Sequence, residues 1–291
     1  MEWYYRNDGN VYVSFSGGKD STVLLDLVRR IFPDVPAVFV DTGLEYPELR
    51  EFVKTIPNVT WLRPEMNFRK VIDTYGYPIV SKEISQVIEE ARRNATTGKY
   101  TYRIKRLNGE LLDSNGNKSI YNCAKWKFLL DAPFKISHKC CNVMKKKPAK
   151  KYEKETGRKP IIGTMTCESQ ARKTAWKIHG CNAFNAKRPS SQPMSFWTEQ
   201  DVLEYLLRYQ IPYAPVYGEI VRDDNEKLRT TKCNRTGCVF CGFGCHLEKE
   251  PNRFQQLKET HPKLWNYCMK PWDSGGLGMR EVLEYIGVQT E

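Results

Sequence analysis

The apolar positions of the first 65 residues switch repeatedly between two periods. Residues 11–15 (Val-Tyr-Val-Ser-Phe) form a short β-rich run. From 20 to 31 the apolar residues Val23, Leu24, Leu27, Val28 and Ile31 recur at helical spacing. A second short apolar run at 37–40 precedes a helical stretch at 47–55, and a third follows at 59–62. Strand, helix, strand, helix, strand predicts a doubly wound parallel α/β sheet. A fourth strand is predicted at 160–163, leading into a polar helix from residue 168. Between them, 81–135 reads as helical or irregular, with hairpin signals at Asn108-Gly109 and Asn115-Gly116. Thr198 predicts the cap of a helix running to Arg208, with Asp201 completing a capping-box pair. The last hundred residues turn Cys-, Gly- and aromatic-rich. The pattern predicts an α/β domain over 1–215 with an insertion at 92–127. A Cys-rich region over 216–291 is expected to pack on it and complete a metal site.

Composition narrows the class. The 291 residues have a mean hydropathy of −0.60, and no run approaches the roughly 20 apolar residues of a spanning helix, so no membrane partner is expected. With 40% hydrophobic and 12% aromatic residues the chain can build a core. Met1-Glu2-Trp3-Tyr4-Tyr5 has no secretory pattern, so a cytoplasmic location is expected. There, ten cysteines point to metal or redox chemistry rather than disulfides. The net charge of +12 is concentrated. Residues 92–127 hold 9 Lys/Arg against 2 acids, and 135–159 hold 10 against 2. The first block also carries Tyr100, Tyr102, Tyr121 and Trp126. Charge concentrated in the blocks 92–127 and 135–159, the first interleaved with aromatics, predicts contact with a nucleic acid, tRNA or DNA.

The most specific local feature is Ser14-Phe15-Ser16-Gly17-Gly18-Lys19-Asp20-Ser21-Thr22. Two glycines turn the chain between a strand and a helix, so backbone N–H groups and the positive helix end converge where a phosphate is favoured. Ser16, Ser21 and Thr22 add hydroxyls and Lys19 a charge. The spacing is not that of a Walker A loop. It resembles the PP-loop of the N-type ATP pyrophosphatase superfamily, with an adenine nucleotide α-hydrolase-like fold. The resemblance implies that Ser14, Ser16, Gly17, Gly18, Lys19, Asp20, Ser21 and Thr22 bind the nucleotide, with Lys19 and Asp20 catalytic. Asp41-Thr42-Gly43 resembles the segment lying beside the adenosine in the sulfonucleotide reductase and ATP sulfurylase branch. An acid and a hydroxyl at a strand's carboxyl end suit a ligand site in an open α/β sheet.

Six cysteines cluster in sequence: Cys140-Cys141, then Cys233, Cys238, Cys241 and Cys245. Cys238 and Cys241 have a spacing that chelates one iron or zinc centre. A local zinc site from Cys233, Cys238, Cys241 and Cys245, with His246 in reserve, is one reading. The segment from His138 to Pro148, with Cys140-Cys141 and Lys145, resembles the Cys-Cys-x-x-x-Lys-x-x-Pro motif of iron–sulfur PAPS/APS reductases. That resemblance implies a [4Fe–4S] cluster on Cys140, Cys141, Cys238 and Cys241, with Lys145 linking cluster to substrate. Cys233 and Cys245 stand as alternatives. The run from Gly163 to Arg172 resembles the family's strand-end motif and implies that Glu168, Ser169 and Arg172 lie near the nucleotide. Met165 stands where the family often has an arginine. The stretch from Pro193 to Val202, with Pro212 and Tyr217, resembles the family's Trp-Thr-x-x-Asp-Val helix and tyrosine tail, and is expected to be structural.

The resemblance to the PAPS reductase family implies an enzyme that takes ATP with Mg²⁺. It would adenylate an acceptor, release pyrophosphate, and take part in sulfur transfer from a sulfur donor. A sulfonucleotide reductase, served by a thioredoxin-like reductant, is the alternative. It needs a nucleophilic thiolate. The end Gly287-Val288-Gln289-Thr290-Glu291 lacks the family's Glu-Cys-Gly-Leu-His pattern, which leaves Cys268 as the candidate. A third reading is a non-enzymatic nucleotide- or nucleic-acid-binding module with structural zinc.

Overall fold

The computed structural model describes residues 1–95 and 97–291. The chain divides into two compact units, Met1–Glu65 with Met144–Cys238, and Met66–Val143 with Val239–Glu291. The sequence pattern places its boundary at residue 215. Residues 216–238 belong to the first unit because local hydrogen bonds tie them there. Tyr217 accepts the Lys19 N–H, and Lys232 and Cys233 donate to the backbone of Tyr217 and Val216. The basic insertion belongs to the second unit, with the C-terminal helices.

The first unit is built on a six-stranded sheet. Its strands are β1 (Val11–Ser14), β2 (Ala37–Val40), β3 (Val59–Leu62), β4 (Lys159–Ile162), β5 (Asn182–Ala183) and β6 (Ser190–Ser191). The order is β3-β2-β1-β4-β6-β5, parallel throughout except for β5 against β6. Helices α1 (Lys19–Arg29) and α2 (Pro47–Thr55) connect the first three strands. Later come α3 (Lys147–Thr156), α4 (Gln170–His179) and α5 (Glu199–Arg208).

Strand alternation separates the two faces of the sheet. Val11, Val13, Ala37 and Phe39 join a large core with Val23, Leu24, Leu49, Val53, Val202 and Leu206 from α1, α2 and α5. The intervening Tyr12 and Val38 pack with Tyr152 of α3, the two tyrosine rings meeting edge to face at 5.2 Å. Helices therefore cover both faces, as the doubly wound pattern predicts. The chain runs outward from β1 through β2 to β3, and β4 lies on the other side of β1. That reversal of direction beside β1 is where open α/β sheets place ligands.

The second unit is mainly helical, with helices Phe68–Tyr75, Lys82–Ala95, Tyr102–Asn108, Arg253–Thr260, Pro262–Met269 and Met279–Tyr285. Ile79–Val80 and Gly242–Phe243 pair as a parallel two-residue ribbon. The expected hairpin forms, with Leu112 bridged to Lys118 around an Asp113–Gly116 turn. Among the described residues no helix is long and apolar enough to cross a membrane.

Candidate functional site

The site grows from the end of β1. Gly17 takes φ +73°, and a Cβ built there would stand 2.6 Å from Val53 Cγ2 and 2.8 Å from Leu49 Cδ2. No side chain fits that turn, which is why the loop needs glycine. Gly18 is the N-cap of α1. The loop hydroxyls are tied among themselves. Ser21 Oγ accepts from Ser16 N at 3.1 Å and donates to Gly18 O at 2.9 Å, and Thr22 Oγ1 donates to Gly18 O at 3.1 Å. The Gly18 N–H donates to Ser16 Oγ at 3.3 Å, and the Lys19 N–H to Tyr217 Oη at 3.0 Å. The N–H groups of Ser16, Gly18 and Lys19 thus meet neutral hydroxyl oxygens.

Lys19 is only 3% exposed. Its Nζ lies 3.0 Å from Glu199 Oε1 and 3.3 Å from Asp20 Oδ1, and donates to Asn234 O at 3.3 Å. Burial works to lower the Lys19 pKa, but Asp20 and Glu199 outweigh it and the net shift is upward. The lysine stays a cation inside the protein. Asp20 Oδ1 is buried and has no hydrogen-bond partner of acceptable geometry.

A cavity of about 210 Å³ opens at the carboxyl ends of β1, β2 and β4. Ser14, Ser16, Glu45, Lys145, Arg188 and Thr236 line it. Asp41 lies beneath this end of the sheet, paired with Arg50 at 2.8 Å and accepting the Gly43 N–H at 3.3 Å. Thr42 donates through both its N–H and its hydroxyl to Glu45. Of this segment Glu45 lines the cavity, and Asp41, Thr42 and Gly43 stand behind it.

Glu168 accepts the Met165 N–H at 3.1 Å and forms an ion pair with Arg172. Ser169 caps α4 by accepting the Arg172 N–H at 3.3 Å. Met165 itself is buried in the main core and brings no charge to the site. Sequence reasoning missed Glu199, Asn234, Arg235 and Thr236. It also assigned the α5 segment and Tyr217 a structural role, whereas Glu199 and Tyr217 both touch Lys19. The only signal was the buried loop lysine itself, which needed carboxylate partners from somewhere in the chain.

The cysteines divide between the units. Cys140, Cys141 and Cys241 belong to the second unit, and Cys238 ends a segment of the first. Cys140 is buried and the other three are half-buried. Among the described residues, no three His, Cys, Asp or Glu side chains gather as a metal-holding group. Cys233 Sγ donates to Arg235 O at 2.8 Å, and Cys245 Sγ to Gly242 O at 3.1 Å. Burial pushes the Cys245 thiol up to about 12. Cys268 lies on helix Pro262–Met269 with no exposed surface, and burial raises its pKa strongly. A thiol so placed is neither ionised nor reachable, which argues against the nucleophile expected at this position.

The first basic block uses much of its charge internally. Arg92 donates to the carbonyls of Leu129, Leu130, Ala132 and Phe134. Arg103 pairs with Glu90 and Arg106 with Glu83. Lys99, Lys105, Lys118, Lys125 and Lys127 are exposed, as are Tyr100, Tyr102 and Tyr121.

The family model of the phosphoadenosine phosphosulfate reductase domain matches residues 10–78 and 89–242. The adenosine 5′-phosphosulfate reductase of Staphylococcus haemolyticus is 25% identical over 271 residues, covering 86% of this chain and 87% of that protein. The uncharacterized protein MJ0066 of Methanocaldococcus jannaschii is 27% identical over 261 residues, covering 88% of this chain. The chain spans only 40% of that protein's length. A crystal structure of phosphoadenylyl-sulfate reductase from Candida auris, a phosphate complex, aligns at a TM-score of 0.42 and 16% identity. That alignment covers 78% of this chain and 87% of the other.

Proposed function

Because the chain belongs to the phosphoadenosine phosphosulfate reductase domain family, a family of enzymes, we propose that it binds an adenine nucleotide at the glycine loop. It acts at the α-phosphate, adenylating an acceptor with release of pyrophosphate. The observation that carries this reading is Lys19, a buried cation at the foot of a loop whose Gly18 and Lys19 N–H groups meet hydroxyl oxygens. Phosphate oxygens entering the loop would take over the donors of Gly18 and Lys19. The acceptor's nucleophile would form a bond to the α-phosphorus as the bridging oxygen to the β-phosphate leaves with the electron pair. Lys19 would then neutralise charge growing on pyrophosphate, the kind of preorganised help that counts most in a dry site. Mg²⁺ arrives with ATP, and the buried Asp20 Oδ1 is the type of oxygen it takes as ligand.

A second reading, sulfite release from an adenylyl sulfate with a thioredoxin-like reductant, is favoured by the reductases among the relatives. It requires a thiol other than Cys268. Supplying ATP with Mg²⁺ and measuring pyrophosphate, then adenosine 5′-phosphosulfate and measuring sulfite, separates the two. Pyrophosphate without sulfite supports adenylation, and the reverse supports the reductase.

The [4Fe–4S] assignment to Cys140, Cys141, Cys238 and Cys241, with Lys145 beside the substrate, is proposed on the motif alone. Anaerobic purification is expected to yield a brown protein with about four iron and four sulfide per chain, bleached by chelator after oxidation. A colourless protein carrying one zinc and no sulfide would overturn it. The nucleic-acid partner is proposed for the exposed lysines and tyrosines of 99–127. Its binding to tRNA or DNA should weaken steeply as salt rises, and a flat response would remove that partner.

A further inference from the structure

The segment leading to Cys238 crosses the glycine loop and is fastened there on both sides of one arginine. Before it, the Asn234 carbonyl accepts Lys19 Nζ at 3.3 Å. After it, Thr236 Oγ1 lies 2.8 Å from Tyr217 Oη, and 3.1 Å from where a Gly18 Cβ would stand. Thr230 Oγ1 meets both Cys233 O and Asn234 Oδ1, and Cys233 Sγ donates to Arg235 O. The backbone of Arg235 is therefore anchored without help from its own side chain. That side chain reaches Glu168 Oε1 at 3.5 Å, the carboxylate that already pairs with Arg172 and accepts the Met165 N–H.

Two guanidiniums thus share one carboxylate beside the loop. The Arg235 side chain is 72% exposed and its contact with Glu168 is long, so the pair contributes little to stability. Arg172 is held below its ordinary pKa, chiefly by burial and next by the Arg235 charge. A second anion would relieve that repulsion. We infer that Arg235 and Arg172 form a clamp for the anionic group that an adenine nucleotide carries beyond its α-phosphate. The group is tetrahedral and can be the β- and γ-phosphates of ATP or the sulfate of an adenylyl sulfate. Guanidinium forks recognise both in the same way. The clamp rests on the proposal that the nucleotide sits at the glycine loop, and it adds a discrimination: the site rejects a nucleotide that ends at the α-phosphate.

The test is equilibrium binding of ATP, adenosine 5′-phosphosulfate and AMP to the full chain, unaltered and with Arg235→Gln. The unaltered protein is expected to bind one or both of the first two more tightly than AMP. Arg235→Gln should weaken that favoured ligand by about tenfold or more while AMP shifts by less than about twofold. Arg235→Lys should recover part of the loss, and thermal unfolding of both variants should match the parent, since the side chain is exposed. Equal weakening of all three ligands would reduce Arg235 to a strap residue and overturn the clamp, as would no change at all. If the unaltered protein holds AMP as tightly as the others, the nucleotide site stands and the clamp falls. If it binds none of them, the parent reading falls as well.

Discussion

Lys19→Ala is expected to lower turnover by about two to three orders of magnitude, as removal of a single preorganised donor does in other sites. The loss should appear in kcat more than in KM. Lys19 is already neutralised in the ground state by Asp20 at 3.3 Å and Glu199 at 3.0 Å. Phosphate binding must compete with those carboxylates, so the lysine's contribution to ground-state affinity is partly offset. Its contribution grows only when negative charge accumulates on the departing group. Glu199→Gln provides the opposite arm. Its carboxylate is half-exposed, and the buried Lys19 keeps Asp20 at 3.3 Å as a partner, so its loss frees Lys19 for the nucleotide. Tighter nucleotide binding is expected, measured by isothermal titration. If Lys19→Ala leaves kcat within about threefold of the parent, Lys19 is not the group that stabilises the leaving anion. The same variant is informative in either assay, pyrophosphate or sulfite, because it asks what the loop does before it asks which nucleotide enters.

How much of this was legible without coordinates follows from sequence separation. β1, β2, β3, α2 and the Thr198–Asp201 capping box all form where short-range pattern places them. Each is set by residues within a few positions of one another, and the pattern records those directly. The glycine loop was legible for the same reason. The partners of Lys19 were not. Glu199, Tyr217 and Asn234 lie about 180 to 215 residues away, and no local period marks them as neighbours of a lysine in the first helix. Charge counting misled in a different way. It treated Arg92 as part of a basic surface, yet its guanidinium is turned onto four backbone carbonyls. A sum of charges does not distinguish an arginine facing solvent from one satisfying carbonyl groups. The change to Cys-rich composition near residue 216 coincides with no boundary between the compact units. The hairpin Ile220–Arg222 with Leu228–Thr230 and the strap after it still belong to the first unit.

The glycines of the site give the clearest test of packing against backbone. Gly17 and Gly43 share the same φ of +73°, but only Gly17 is crowded. At Gly43 a Cβ would meet nothing within 4 Å. Gly43→Ala therefore carries the left-handed backbone cost alone, about 1 kcal/mol. Gly17→Ala adds a methyl within 2.6 Å of Val53 Cγ2 and 2.8 Å of Leu49 Cδ2, both on buried residues of α2. Neither side chain can withdraw without disturbing a close-packed core. Overpacking of this kind costs about 1–3 kcal/mol, so Gly17→Ala should destabilise by about 2–4 kcal/mol in total. Urea unfolding reads the difference as a lower midpoint with an unchanged slope. Any relaxation open to the variant pushes the loop away from α2, and with it the Ser16 and Gly18 groups proposed to hold the nucleotide. Nucleotide binding should then fall in Gly17→Ala even under conditions where the variant is fully folded. Equal destabilisation by the two substitutions would show that α2 does not hold the loop in place.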